Sequence, residues 1–205
     1  MQKKINLLFK NEDENLLKSL IGKEVTKIRH DKFDFSNVSY RRVLLFVKDK
    51  VFELENPAEE IDFMWDDFGD ETVGVFKFHQ TIDNGIDFNY GFDNYPKQIE
   101  TVVNQKVNDI VVIEDNVKAY NSKTRGFISE YDYIKGIIID FGDFKYCFYR
   151  SVWFSDDIYI EKGQTPENRI GNIDDDWEWG EERYSINTRK LRSLKANWLF
   201  VIFRN

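Results

Sequence analysis

Ile137-Ile138-Ile139-Asp140-Phe141-Gly142-Asp143-Phe144-Lys145-Tyr146-Cys147-Phe148-Tyr149 consists of two apolar runs around a Gly-Asp pair. Glycine enters the left-handed region without a Cβ penalty, and two-residue turns between paired strands require that region. The stretch therefore predicts a β-hairpin, Ile137 to Phe141 against Phe144 to Tyr149. A second hairpin signal lies upstream, where Val75 to Ile82 and Ile86 to Tyr90 flank Asp83-Asn84-Gly85. In its first arm Phe76 and Phe78 alternate with Lys77 and His79, the period-two pattern of a half-buried strand.

Outward from the hairpins, a longer order repeats along the chain. Leu17 to Ile28 aligns without gaps on Ile99 to Ile110, with apolar coincidences at Leu17/Ile99, Leu20/Val102, Ile21/Val103, Val25/Val107 and Ile28/Ile110. Val43-Leu44-Leu45 then falls on Ile137-Ile138-Ile139, and Asp49 on Asp143 in a turn. Phe63 to Phe68 echoes Val152 to Ile158, with Asp66-Asp67 against Asp156-Asp157. Each copy is expected to open with a short amphipathic helix. In the first, Asn11 and Glu14 have capping-box spacing before the stripe Leu16, Leu17, Leu20 and Ile21. In the second, Pro96 suits the first helical position before Ile99, Val102 and Val103. A break at Gly22 or Asn104 follows, and then a strand.

The expectation is an α+β fold, mostly antiparallel β-sheet with short helices, built as two related units from an internal duplication. The first unit is 1–92 and the second 93–170, with 11–90 and 94–165 superposing. Residues 171–205 complete the same body, with a helix over Asn187 to Ala196 and a buried strand over Trp198 to Phe203.

The formal net charge is −8. Phosphate neutralisation needs clustered Lys and Arg, so nucleic acid is not an expected partner, and neither is an anionic membrane surface. From Arg183 to Asn205 there are six Lys/Arg and no Asp or Glu, so the remainder carries 23 basic and 37 acidic residues, a net −14. No apolar run is long enough to cross a membrane as a helix, and the amino terminus has no signal-peptide pattern. With Cys147 as its one cysteine, the chain forms no internal disulfide, and a cytoplasmic location is expected.

The chemistry-bearing residues are sparse. His30 and His79 have no His, Cys or Glu at metal-ligand spacing, and both read as surface strand residues. Cys147 sits among aromatics, which suits an inert buried thiol. Asp66-Asp67 and Asp156-Asp157 are adjacent pairs, which on a strand point to opposite faces. Phosphate loops, nucleophile elbows and zinc-protease motifs are absent from the sequence. The expectation is a protein with no catalytic residues, no metal and no cofactor. A hydrolase with dispersed carboxylates is the alternative, since such pairs leave no local signature.

One segment stands out. Asp174-Asp175-Asp176-Trp177-Glu178-Trp179-Gly180-Glu181-Glu182 concentrates acidic and aromatic side chains. Carboxylates steer and pair with Lys or Arg, while tryptophans supply anchoring area. The candidate partner-binding residues are Asp174, Asp175, Asp176, Trp177, Glu178, Trp179, Glu181 and Glu182. Alternatively, the basic segment Arg183 to Arg204 folds back and neutralises them internally. Trp65 and Trp153, also near aspartates, read as core residues. The unit of helix, Gly22-Lys23-Glu24-Val25-Thr26-Lys27-Ile28 strand and aromatic-acidic hairpin resembles small β-rich bacterial immunity-type proteins that neutralise toxins. The resemblance implies a cytoplasmic inhibitor that occludes a basic partner with an acidic face. A small-ligand or carbohydrate-binding β module is the other reading.

Overall fold

The computed structural model describes residues 3–31, 38–62, 70–83, 98–176, 181–195 and 199–203. In chain order the elements are β1 (Lys3–Leu7), α1 (Asn11–Leu20), β2 (Glu24–Asp31), β3 (Val38–Tyr40), β4 (Arg42–Val47), β5 (Lys50–Glu55), β6 (Ala58–Asp62) and β7 (Asp70–Gly74). Then follow β8 (Lys77–Thr81), β9 (Gln98–Lys106), β10 (Asp109–Asn121), β11 (Phe127–Asp140), β12 (Lys145–Tyr149) and β13 (Asp157–Gly163). Two 3-10 turns, Pro166–Arg169 and Ile173–Asp176, lead to β14 (Arg183–Ser193) and β15 (Leu199–Phe203).

The strands form two sheets and a separate β6–β7 hairpin. The first sheet runs β15-β14-β10-β11-β12-β13-β3, with β1 added parallel to β11; the second runs β8-β5-β4-β2-β9. Among the described residues every pairing except β1–β11 is antiparallel, in keeping with the mostly antiparallel sheet that the sequence predicts. The Gly142 hairpin is present, with Asp140 paired to Lys145 and Gly142 at φ +90°. Asp49 also lies in a turn, between β4 and β5, where Lys48 takes φ +54°. The first arm of the other predicted hairpin is β8, while its turn and second arm fall within 84–97, outside the described residues.

The principal core draws on α1 and on both sheets. Leu17 and Leu20 meet Val25, Ile28, Leu45 and Phe52 of the second sheet and Ile110, Ile137, Ile139 and Phe148 of the first. Stacking of Phe52 on Phe78 and of Tyr146 on Phe148 fills it. On the opposite face of the first sheet, Val117, Ala119, Tyr131 and Tyr133 pack with Ile5 of β1, Val73 of β7 and Ile173 of the second 3-10 turn.

β11 changes neighbours halfway along: Ser129 to Tyr133 pair with β1, and Gly136 to Asp140 with β12. Opposite β10 the register jumps between Ile134 and Gly136, leaving Lys135 as the extra residue of a bulge. Lys135 is fully buried, and its Nζ donates to the Ser151 carbonyl at 2.8 Å.

Three predicted features are corrected. The expected helix after Pro96 is β9, because Ile99, Thr101 and Val103 suit a pleated edge and β2 supplies the ladder. Asn104, read as a break, sits within this strand at φ +48°, where the β2–β9 register shifts. The expected helix over Asn187 to Ala196 is also wrong: Arg183 to Ser193 pair residue by residue with Asn121 to Val111 of β10. The helix α1 itself is as predicted, but its cap lies one residue earlier, where the Lys10 N–H donates to Asp13 Oδ2 at 2.9 Å.

These corrections bear on the proposed repeat. Both aligned segments lead into antiparallel meanders whose spatial order follows the chain, β2-β4-β5-β8 and β10-β11-β12-β13. Val25, Ile28, Val107 and Ile110 are all buried in the principal core. The openings differ, helix in one and strand in the other, and Leu20 is buried where Val102 is largely exposed. Meander order alone does not establish a duplication.

Candidate functional site

Residues 171–175, where the predicted acidic segment begins, lie against the outer face of the first sheet. Ile173 anchors it by entering the cluster with Val117 and Tyr133. Two side chains of β14 hold it from below. Asn187 Nδ2 donates to Asp174 Oδ1 at 2.8 Å, and Arg189 Nη1 donates to the Gly171 carbonyl at 2.7 Å. Asp174, Asp175, Glu181 and Glu182 are exposed. Asp176 ends the 3-10 turn, while Trp177, Glu178, Trp179 and Gly180 lie outside the described residues. Lys123 Nζ reaches Glu182 Oε1 at 3.1 Å, between two largely exposed side chains, a contact of small energetic weight.

Two arginines of the basic segment that follows are committed elsewhere. Arg189 forms a two-pronged pair with Asp115 of β10, at 2.7 and 2.8 Å, and the Asp115 side chain is 0% exposed. Tyr133 Oη also donates to Asp115, at 3.1 Å. Arg192 bridges Glu114 of β10 and Glu14 of α1, the latter at 3.2 Å from Nη1. These guanidiniums therefore fasten β14 to β10 and α1, and the neutralising helix imagined for this segment is a strand. A cavity of about 370 Å³ lies next to residues 171–175, lined by Ile113, Glu167, Asn172, Ile173, Arg189 and Leu191.

The other candidate residues are dispersed. Trp153 packs against the outer cluster and edge-on to Phe154, as a core reading expects. Its carbonyl accepts from Arg150, a fully buried guanidinium that also donates to the Gly74 carbonyl and lies over the rings of Phe76 and Tyr133. Asp156 pairs with Arg41 through Nε and Nη2, whereas Asp157 opens β13. Trp65, Asp66 and Asp67 lie outside the described residues. Cys147 is buried on β12, and burial pushes its thiol above the ordinary range. His30 is not a surface residue: it is 7% exposed on β2, between Val43 of β4 and Ile99 of β9.

His79 stands on the polar face of β8, as its alternation with Phe78 predicts. Antiparallel pairing of β5 and β8 sets it opposite Glu53, with Glu55 two residues further on the same face. Its Nε2 lies 3.4 Å from Glu53 Oε2 and its Nδ1 3.6 Å from Glu55 Oε1. Glu53 is only 2% exposed and also accepts from Arg42, whose Nη2 lies 3.0 Å from Oε2. The outward alternation of Lys77 and His79 was visible in the sequence, but the carboxylates facing them come from a neighbouring strand.

No family model, curated protein or solved structure matches this chain. Among the described residues, no helix is long and apolar enough to cross a membrane.

Proposed function

We propose that this chain is a non-enzymatic, cytoplasmic protein-binding protein that captures a basic protein, of the kind a toxin-neutralising immunity protein inhibits, through its acidic face. The carrying observation is that Asp174, Asp175, Glu181 and Glu182 stand exposed while the next strand spends Arg189 and Arg192 on Asp115, Glu114 and Glu14. An acidic surface left open in this way speeds encounter with a cationic partner and fixes its orientation. Trp177 and Trp179 lie between these carboxylates in the sequence and complete the proposed acidic-aromatic set.

The test reverses Asp175 and Glu181 to Lys. Both side chains are exposed, so stability should change by no more than about 0.5 kcal/mol. Association with the basic protein retained from host extract should slow about tenfold or more and lose its dependence on salt. Unchanged association kinetics would dispose of the acidic face as the interface, and loss of folding would make the stretch an internal clamp. The cavity beside Glu167 and Asn172 favours a second reading, a small-ligand-binding β module, because its volume lies at the lower end of ligand pockets. A thermal shift with a metabolite or glycan, unaffected by the two reversals, would favour that reading.

A further inference from the structure

On β5 the residues alternate strictly. Phe52 and Leu54 enter the principal core, so Glu53 and Glu55 stand on the other face of the second sheet. His79 joins them from β8, and one ligating atom from each of the three lies within 4.8 Å of the others. Both ring nitrogens face carboxylates, so one nitrogen can ligate a cation seated among the three groups while the N–H on the other faces the remaining carboxylate.

Among the described residues, Arg42 donates to Glu53 and Lys77 pairs with Glu59. We propose that Glu53, Glu55 and His79 form a site for one divalent transition ion of the zinc type, with the remaining coordination positions filled by water. One imidazole nitrogen and two carboxylate oxygens suit a borderline cation better than magnesium or calcium, which prefer all-oxygen shells. Arg42 acts as the outer partner that orients the buried Glu53 carboxylate, and His79, 43% exposed, leaves an entry path from solvent.

The experiment is calorimetric titration of zinc into the tag-free full chain, stripped by chelator, near neutral pH. The expected result is saturable binding of one ion per chain, a rise in melting temperature with zinc, and a tetrahedral-type visible spectrum with cobalt(II). His79→Ala should abolish binding. Glu55→Gln, which keeps shape and removes charge, should weaken it about tenfold or more. Both residues lie at least partly in solvent, so both variants should keep the wild-type circular dichroism spectrum. Absence of saturable heat overturns the proposal, as does binding of equal strength to His79→Ala. So does a nitrogen-15 spectrum in which both His79 nitrogens stay protonated and unmoved by zinc, since the resident cation is then a proton.

Discussion

Asp157 shows how one residue's surroundings set a pH dependence. It begins β13 half-buried, and desolvation first, then the neighbouring Asp156 carboxylate, raises its carboxyl above the ordinary value near 3.8, against a smaller opposing pull from Arg41. An acid whose folded-state value is raised favours the folded state only while protonated. Its contribution is intact below the ordinary value and is lost as pH rises through the folded one, so it stands as a penalty at neutral pH. Asp157→Asn should therefore raise the melting temperature at neutral pH, with the gain fading as the solution is acidified below the ordinary carboxylate range. Melting curves of both proteins from acid to neutral pH decide the matter, and a variant less stable at neutral pH contradicts the assignment. Little of this was legible beforehand. The sequence shows Asp156-Asp157 as a pair, and strand geometry foretells their divergence. That Arg41 attends one of them and burial weighs on the other depends on β3–β13 pairing, between segments far apart in the chain.

At the scale of elements, β14 is a strand by its contacts where its sequence from Asn187 onward suggested a helix. Residues alternate along it: Arg189 and Leu191 stand across from Asp115 and Ile113, whereas Arg192 turns to the other face, toward Glu114 and Glu14. Arg189 with Asp115 forms the more deeply buried pair. Truncating Arg189 to Met should destabilise the fold by about 3–5 kcal/mol, because a carboxylate excluded from solvent loses its counter-ion. Replacing both partners, with Asp115→Leu added, should recover most of that loss. Chemical denaturation of the two single variants and the double variant measures the coupling. Strict additivity would show that Asp115 is satisfied without Arg189. The Gly142 hairpin and α1 were readable because turn residues and a 3.6-residue stripe act locally. Asn187 to Ser193 and Gln98 to Val103 were misread as helix for the same reason: Ile99, Val102 and Val103 fit a helical stripe as well as a strand. Only the long ladders offered by β10 and β2 settle their state.

For the whole molecule, the decisive feature is that one core draws on residues from 1–92, 93–170 and 171–205 alike. The principal cluster contains Leu17, Leu45 and Phe78 from 1–92, Ile110, Ile137 and Phe148 from 93–170, and Leu194 from 171–205. Pairing crosses the same boundaries: β9 joins β2, β3 joins β13, and β14 lies along β10. Sequence order therefore does not mark separable folding units, whatever their ancestry. Residues 1–92 alone would leave the apolar side of β2, β4 and β5 without the Ile110, Ile137 and Phe148 surface that buries it. Burial of that kind supplies most of the favourable free energy, set against a conformational entropy cost of similar size. Two consequences follow for experiment. Urea unfolding of the full chain should be a single transition, with far-ultraviolet circular dichroism, near-ultraviolet aromatic signal and Trp fluorescence coincident at one midpoint. Residues 1–92 expressed alone should give a poorly dispersed amide spectrum. Two resolved midpoints, or a well-dispersed spectrum from the fragment, would mean that the second sheet is stable without the first and that the shared core is a docking interface between domains.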